Sequence, residues 1–331
     1  MINNGKFVIS LDFELAWGVL GVEDMNVYGQ NIEGVQKVIP DTLELFRAYD
    51  IHATFSTVGF LFFKNKKELL QNLPPAALQP AYEREGLSQY GNYMNGITDI
   101  QENDHLHFAP HLIRLIKEYP EQEIGSHTFS HYYCLEKGQS LAMFQQDLAT
   151  AKANAERNGL QLESIVFPKN QFNDEYIKAC IPFGIKVYRG NPSSSFLQLR
   201  AMENENLFRM ALRFADTYFN VSGHNCYTDE LIKNSFPYNI PGSRFLRPFS
   251  NKLKILDGFK LRRIKAGMLH AAKNNQTYHL WWHPHNFGIN QKENFDFLEK
   301  ILVYYRQLNR QYNFKSYSMI ELVNEFEKLK P

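Results

Sequence analysis

The chain has 331 residues, 44% of them hydrophobic, and its 36 basic side chains are balanced by 35 acidic ones. Such a balance sets up no field that would steer a polyanion, which excludes nucleic acid and anionic membrane as principal partners. Its length admits one large domain or two small ones, no apolar run is long enough to span a bilayer, and three scattered cysteines, Cys134, Cys180 and Cys226, make no disulfide framework.

In chain order, the first apolar run predicts a strand over 7–11, with no charged leader or small-residue cleavage site ahead of it, so a cytoplasmic protein is expected. Asp12 and Glu14 follow directly and share a face if the strand continues. Carboxylates at the C-terminal end of a parallel strand point into the mouth where α/β folds keep their sites. The plainer reading has one of them capping the next turn and the other solvated.

A helix is expected over 33–49 and a strand over 52–57. Residues 71–108 are rich in Pro, Gly, Asn and Gln and read as a long irregular insertion. His107 and His111 at its end are four residues apart, but Pro110 interrupts the turn, so rim or surface histidines are expected there. A helix over 109–119 and a strand over 123–125 lead into Ser126-His127-Thr128-Phe129-Ser130-His131. On a helical turn, positions i and i+4 share a face, so His127 and His131 could reach one divalent ion. With one carboxylate they would leave positions open for water and substrate. The alternative is one hydrogen-bonded core imidazole and one at the surface.

Helices are predicted over 141–158, 174–181, 260–274 and 292–309, and strands over 164–167, 186–189 and 277–282. Residues 190–250 read as a second irregular insertion. The strand at 277–282 delivers His283 to its end, where Pro284 stops the ladder. An imidazole placed there suits a general acid; His283 and His285 would also suit a second ligand pair. Ser318, with Glu321 three residues on, is the expected N-cap of a last helix. The alternation as a whole predicts an α/β architecture with a largely parallel sheet.

These elements in this order resemble the polysaccharide deacetylase family, metal-dependent carbohydrate esterases that share a chitooligosaccharide deacetylase homology domain. The matching places are Leu11-Asp12-Phe13-Glu14, Ser126 to His131, and Leu280 to His283, and the resemblance runs from about residue 7 to residue 290. It implies an irregular (β/α) barrel of about seven strands, a single catalytic domain over 1–331 with insertions near 71–108 and 190–250. One divalent ion, zinc the expected one, would be held by Glu14, His127 and His131, with Asp12 as base and His283 as proton donor. The commonest family form has two adjacent aspartates, whereas Phe13 stands at the second place here, so the roles of Asp12 and Glu14 could be exchanged. The family's base-orienting Arg is altered near Val166 to Gln171; Lys169 is the nearest cation and Arg189 its rival, while His285 and Arg247 are weaker candidates for substrate contact. The implied reaction removes an N-acetyl group from an amino sugar, an expected precursor of a surface glycan. A ureide-type amidohydrolase and a catalytically silent carbohydrate-binding relative are the alternatives.

Overall fold

The computed structural model describes residues 2–20, 23–84, 86–97, 104–194, 197 and 207–329. Its sheet is built around β1 (Lys6–Phe13), in which every residue is buried. Phe7, Val8, Ile9, Leu11 and Phe13 suit a strand covered on both faces, and the alternating Ser10 and Asp12 both meet Arg189. The other strands are β2 (Ala53–Thr57), β3 (Gln122–Ser126), β4 (Ser164–Ile165), β5 (Val187–Tyr188), β6 (Tyr238–Asn239), β7 (Arg244–Phe245), β8 (Thr277–Trp282) and β9 (Lys315–Tyr317).

Their order is β6-β5-β4-β3-β2-β1-β8-β7, with every ladder parallel. The two ends of this path are pieces of one segment. Ile240 and Gly242 donate to the carbonyls of Tyr188 and Gly190 on one side, and Ser243 and Leu246 to those of His279 and Trp281 on the other. The sheet therefore curls into a barrel whose staves are β1 to β5, the segment carrying β6 and β7, and β8. β9 pairs with Lys6–Val8, ahead of the point where β2 begins at Ile9.

Helices shield the outside. The helix Val35–Tyr49 turns Val35, Val38, Ile39, Thr42, Leu43 and Phe46 inward, the spacing of one helical face. Leu141–Arg157, Asp257–Lys273 and Gln291–Tyr312 cover other parts of the sheet or its neighbouring helices. Ser318 caps Met319–Lys328 by accepting from the Glu321 N–H while the Glu321 carboxylate accepts from the Ser318 N–H, the reciprocal pair expected from the sequence.

Residues 190–250 depart from the expected irregular loop. They supply β6, β7 and a twelve-residue helix, Leu207–Tyr218. Each of the two strands is two residues long and flanked by Pro, Gly or Ser, too short to leave a periodic signal. Because all the staves run parallel, their C-terminal ends meet at one rim, and the chemistry-bearing side chains are concentrated there.

Candidate metal centre and its pocket

Asp12 is the penultimate residue of β1 and Glu14 the first residue beyond it. Glu14 precedes the short 3-10 turn Leu15–Gly18, yet its side chain makes no capping bond. The carboxylate turns instead to two imidazoles: Glu14 Oε2 lies 3.2 Å from His127 Nε2 and 3.0 Å from His131 Nε2. Gly18 makes room for it, because a Cβ at that position would stand 1.9 Å from Glu14 Cδ.

His127 and His131 do not share a helical face. The stretch after β3 is an irregular loop in which Thr128 and His131 adopt left-handed backbone, φ 63° and 57°. Hydrogen bonds hold that loop. Asp147, buried on the helix Leu141–Arg157, accepts from the N–H groups of Phe129 and Ser130 and from the Ser130 hydroxyl; Gly59 and Phe60 donate to the carbonyls of Thr128 and Phe129. The i, i+4 argument thus picked two rings that the fold does bring together, but through a conformation the chain does not adopt. Burial raises the Asp147 carboxyl to about 6 against these three donors. The N–H groups of His127, Thr128, Phe129, Ser130, Tyr132 and Tyr133 are all committed within the fold, so none of those six is available to a developing oxyanion.

The far nitrogens of the two rings are tied off. His127 Nδ1 is 2.8 Å from the Val166 carbonyl, to which it donates, and His131 Nδ1 is 3.1 Å from the Tyr133 hydroxyl. Both rings thereby present Nε2 to Glu14, the arrangement that fixes a ligating tautomer. Burial holds the His131 imidazole down at about 4 despite the adjacent carboxylate, so it is neutral near pH 7. Burial pushes the Glu14 carboxyl upward, but His283, His127 and His131 outweigh it and keep the group well below its ordinary value. One ionised carboxylate and two lone-pair imidazoles, within 4.8 Å of one another, suit a divalent transition metal.

Asp12 has a different partner. Arg189, the residue after β5, donates from Nη1 and Nη2 to the two Asp12 oxygens, each at 2.7 Å. Its remaining N–H groups go to Ser10 Oγ and Asn170 Oδ1, and its guanidinium lies 4.1 Å over the Trp281 ring. All five donors of this buried fork are used. Burial raises the Asp12 carboxyl, yet Arg189, with His127 and His283, brings it below the usual carboxylate value. Arg189 rather than Lys169 therefore orients Asp12. Lys169 has left-handed backbone, φ 52°, and its ammonium sits 4.4 Å over the Tyr133 ring, lining the pocket.

Behind Arg189 the proton positions follow from one another. His279 Nδ1 donates to the Ile240 carbonyl, so its Nε2 accepts from Ser10 Oγ, which in turn accepts from Arg189. Burial and the Arg189 charge hold His279 down at about 3, a neutral prop. Sequence reasoning missed this residue, as it missed Gly18, Asp147 and Asn170; the one signal available was that His279 lies inside an apolar strand.

His283, at the end of β8, gives its Nδ1 proton to Asn286 Oδ1 at 3.1 Å and turns Nε2 toward Asp12 Oδ2 and Glu14 Oε1, at 3.6 and 3.7 Å. His285 stacks on it with ring centroids 5.0 Å apart. A cavity of about 390 Å³ opens over these groups, with Tyr28, Phe245 and Trp281 in its walls. Arg247 lies outside it, in an adjoining cavity of about 240 Å³, with its guanidinium over Phe214. Arg244 is buried and paired with Asp216.

No family model and no curated protein matches the chain. Solved structures do. A Mycobacterium smegmatis protein described as a "putative polysaccharide deacetylase" superposes with a TM-score of 0.58 at 13% identity, covering 99% of this chain and 93% of its own. The GH57-type branching enzyme of the archaeon Pyrococcus horikoshii gives 0.51 at 12% identity over 97% of this chain and 70% of its own. A CE4 family pseudoenzyme from Bacillus anthracis gives 0.45 at 13% identity over 97% of this chain and 66% of its own. At these identities the likeness is one of fold: the chain has the (β/α) barrel found in polysaccharide deacetylases.

Proposed function

We propose that the chain is a metal-dependent N-deacetylase acting on an acetamido sugar. The observation that carries this reading is the division of labour between two neighbouring carboxylates, Glu14 between two Nε2 atoms and Asp12 gripped by Arg189. A divalent ion held by Glu14, His127 and His131, zinc the simplest choice, would supply a Lewis acid and lower the pKa of a water to about 7.

The remaining steps fall to the protein. Asp12 is ionised at neutral pH and stands at the pocket floor, where it accepts the proton released by the attacking water. Arg189 fixes the direction in which that carboxylate offers its lone pairs. In its protonated form His283 donates from Nε2, the nitrogen facing the pocket, to the departing amine, while its Nδ1–H stays hydrogen-bonded to Asn286 Oδ1. Trp281, Phe245 and Tyr28 offer apolar faces for a pyranose ring.

The branching enzyme's fold raises glycoside chemistry as a rival, and the charges speak against it. Glycosidases need a carboxylic acid that stays protonated, set roughly 5–9.5 Å from its carboxylate partner. Asp12 is held below its ordinary value chiefly by Arg189 and Glu14 by the imidazoles around it, which speaks against either as the proton-donating acid. The three cysteines are all free thiols, which accords with a reducing compartment and a precursor sugar made there.

The test is a panel of N-acetylated amino sugars and their oligomers, O-acetylated sugars, a cyclic ureide and an α-glucan, assayed with one equivalent of zinc. Acetate released from the N-acetylated members supports the reading. Turnover confined to the ureide or to the glucan would replace it, and bound metal with no turnover would leave a binding protein.

A further inference from the structure

Glu14 has two oxygens, and the first metal site uses one. Oε2 faces His127 and His131, whereas Oε1 faces His283 Nε2 at 3.7 Å and His285 Nε2 at 3.9 Å. Those two distances exceed hydrogen-bond reach, so the three groups do not satisfy one another. They nevertheless lie within 4.8 Å of each other, as a ligand set would. Nitrogen ligands at about 2.0–2.1 Å from a tetrahedral zinc stand roughly 3.3 Å apart, so closing on an ion asks the three groups to approach and the two stacked rings to turn until both Nε2 lone pairs converge.

His285 adds a second, independent observation. It is 3% exposed, its Nδ1 is buried without a partner, and its Nε2 has no hydrogen bond among the described residues. Nε2 is the nitrogen that faces Glu14 across the cavity, with no partner within hydrogen-bond reach among the described residues, and is open there to a ligand. His283 is already prepared for ligation, because its Nδ1–H donates to Asn286 Oδ1 and Nε2 is left toward the same Glu14 oxygen.

We infer that Glu14 Oε1, His283 Nε2 and His285 Nε2 form a second divalent-cation site, bridged to the first through Glu14, whose filling removes the proton donor. Coordination occupies the Nε2 lone pair that would otherwise carry the proton, so a protein with both sites filled cannot protonate the leaving amine. The second site is the weaker one, because the charge of Glu14 is shared with the first ion. The inhibitory consequence rests on the deacetylase reading above; the site itself does not.

The experiment uses the full chain stripped of metal by a chelator and titrated with Zn²⁺ by calorimetry, and with Co²⁺ by its visible absorption. The wild-type protein is expected to take up two equivalents, tight then weak, with acetate release rising across the first and falling across the second. His285→Gln and His283→Gln are each expected to bind one equivalent, with circular dichroism showing that both variants are folded. Saturation of the wild type at one equivalent, or two equivalents retained by both variants, would overturn the site. Two equivalents bound without acetate release at any loading would keep the site and remove the deacetylase reading, whereas one equivalent with release would do the reverse.

Discussion

Two of the histidine pairs that share the i, i+4 spacing, His127 with His131 and His107 with His111, have opposite fates. His127 and His131 sit at the C-terminal rim and converge through Nε2 on one carboxylate. His107 is instead a satisfied core residue: Nδ1 meets Asp104 at 2.7 Å, Nε2 meets the Tyr93 hydroxyl at 2.8 Å, and its ring lies edge-on to Trp17. His111, separated from it by Pro110 and the start of a new helix, bonds Gln36 on the outside. Spacing alone does not make a site. What separates the pairs is where the neighbouring strand ends and whether the second nitrogen of each ring is held by a group that leaves the first one open.

The sharpest way to break this comparison is to truncate one member of each pair. His127→Gln is expected to abolish stoichiometric metal binding and to cost at least the roughly 10–100-fold in activity that loss of an outer partner alone would, measured by metal content and acetate release. His107→Ala is expected to leave metal content intact and to lower stability by about 1–3 kcal/mol, because it strands the buried Asp104 carboxylate and removes the partner of the half-buried Tyr93 hydroxyl. Denaturant unfolding checks the second effect. Metal loss in His107→Ala with an unchanged midpoint would erase the distinction.

Gly18→Ala comes next in expected size. The added methyl must displace the Glu14 carboxylate, so metal affinity is expected to fall by roughly 10–100-fold with little change in unfolding midpoint. An unchanged affinity would mean that Glu14 is not held where the two imidazoles need it.

The smallest effect lies far from the rim. His52 is held by Glu321, and that hydrogen bond raises its pKa despite half-burial. With the folded value above the unfolded one, its contribution to stability is complete below about pH 6.5 and is lost as pH rises through the folded pKa. His52→Gln is expected to remove that slope from the pH dependence of unfolding while leaving the metal titration untouched.

Much of the fold was legible because long buried strands and amphipathic helices leave strong periodic signals. The strand over 277–282 and the Ser318 cap were read to the residue. β6 and β7 were not, since pairs of residues between Pro, Gly and Ser carry no period, and their pairing is settled by neighbours distant in sequence. At the site, Asp12, Glu14, His127, His131 and His283 could be picked out as polar groups following apolar runs. The choice of Arg189 over Lys169 could not, because it depends on a left-handed turn at Lys169 and on the reach of a guanidinium across the barrel. Gly18 and Asp147 were invisible for a related reason: the contacts that give them a role exist only after folding.

The account rests on the split between Glu14 as ligand and Asp12 as base. Zinc content and acetate release measured together on Asp12→Asn and Glu14→Gln test that split directly. The expected result is that Asp12→Asn keeps its zinc and loses about 10²–10⁴-fold in turnover, whereas Glu14→Gln loses both zinc and turnover. An Asp12→Asn protein without zinc beside a Glu14→Gln protein that retains it would contradict the account and exchange the two roles.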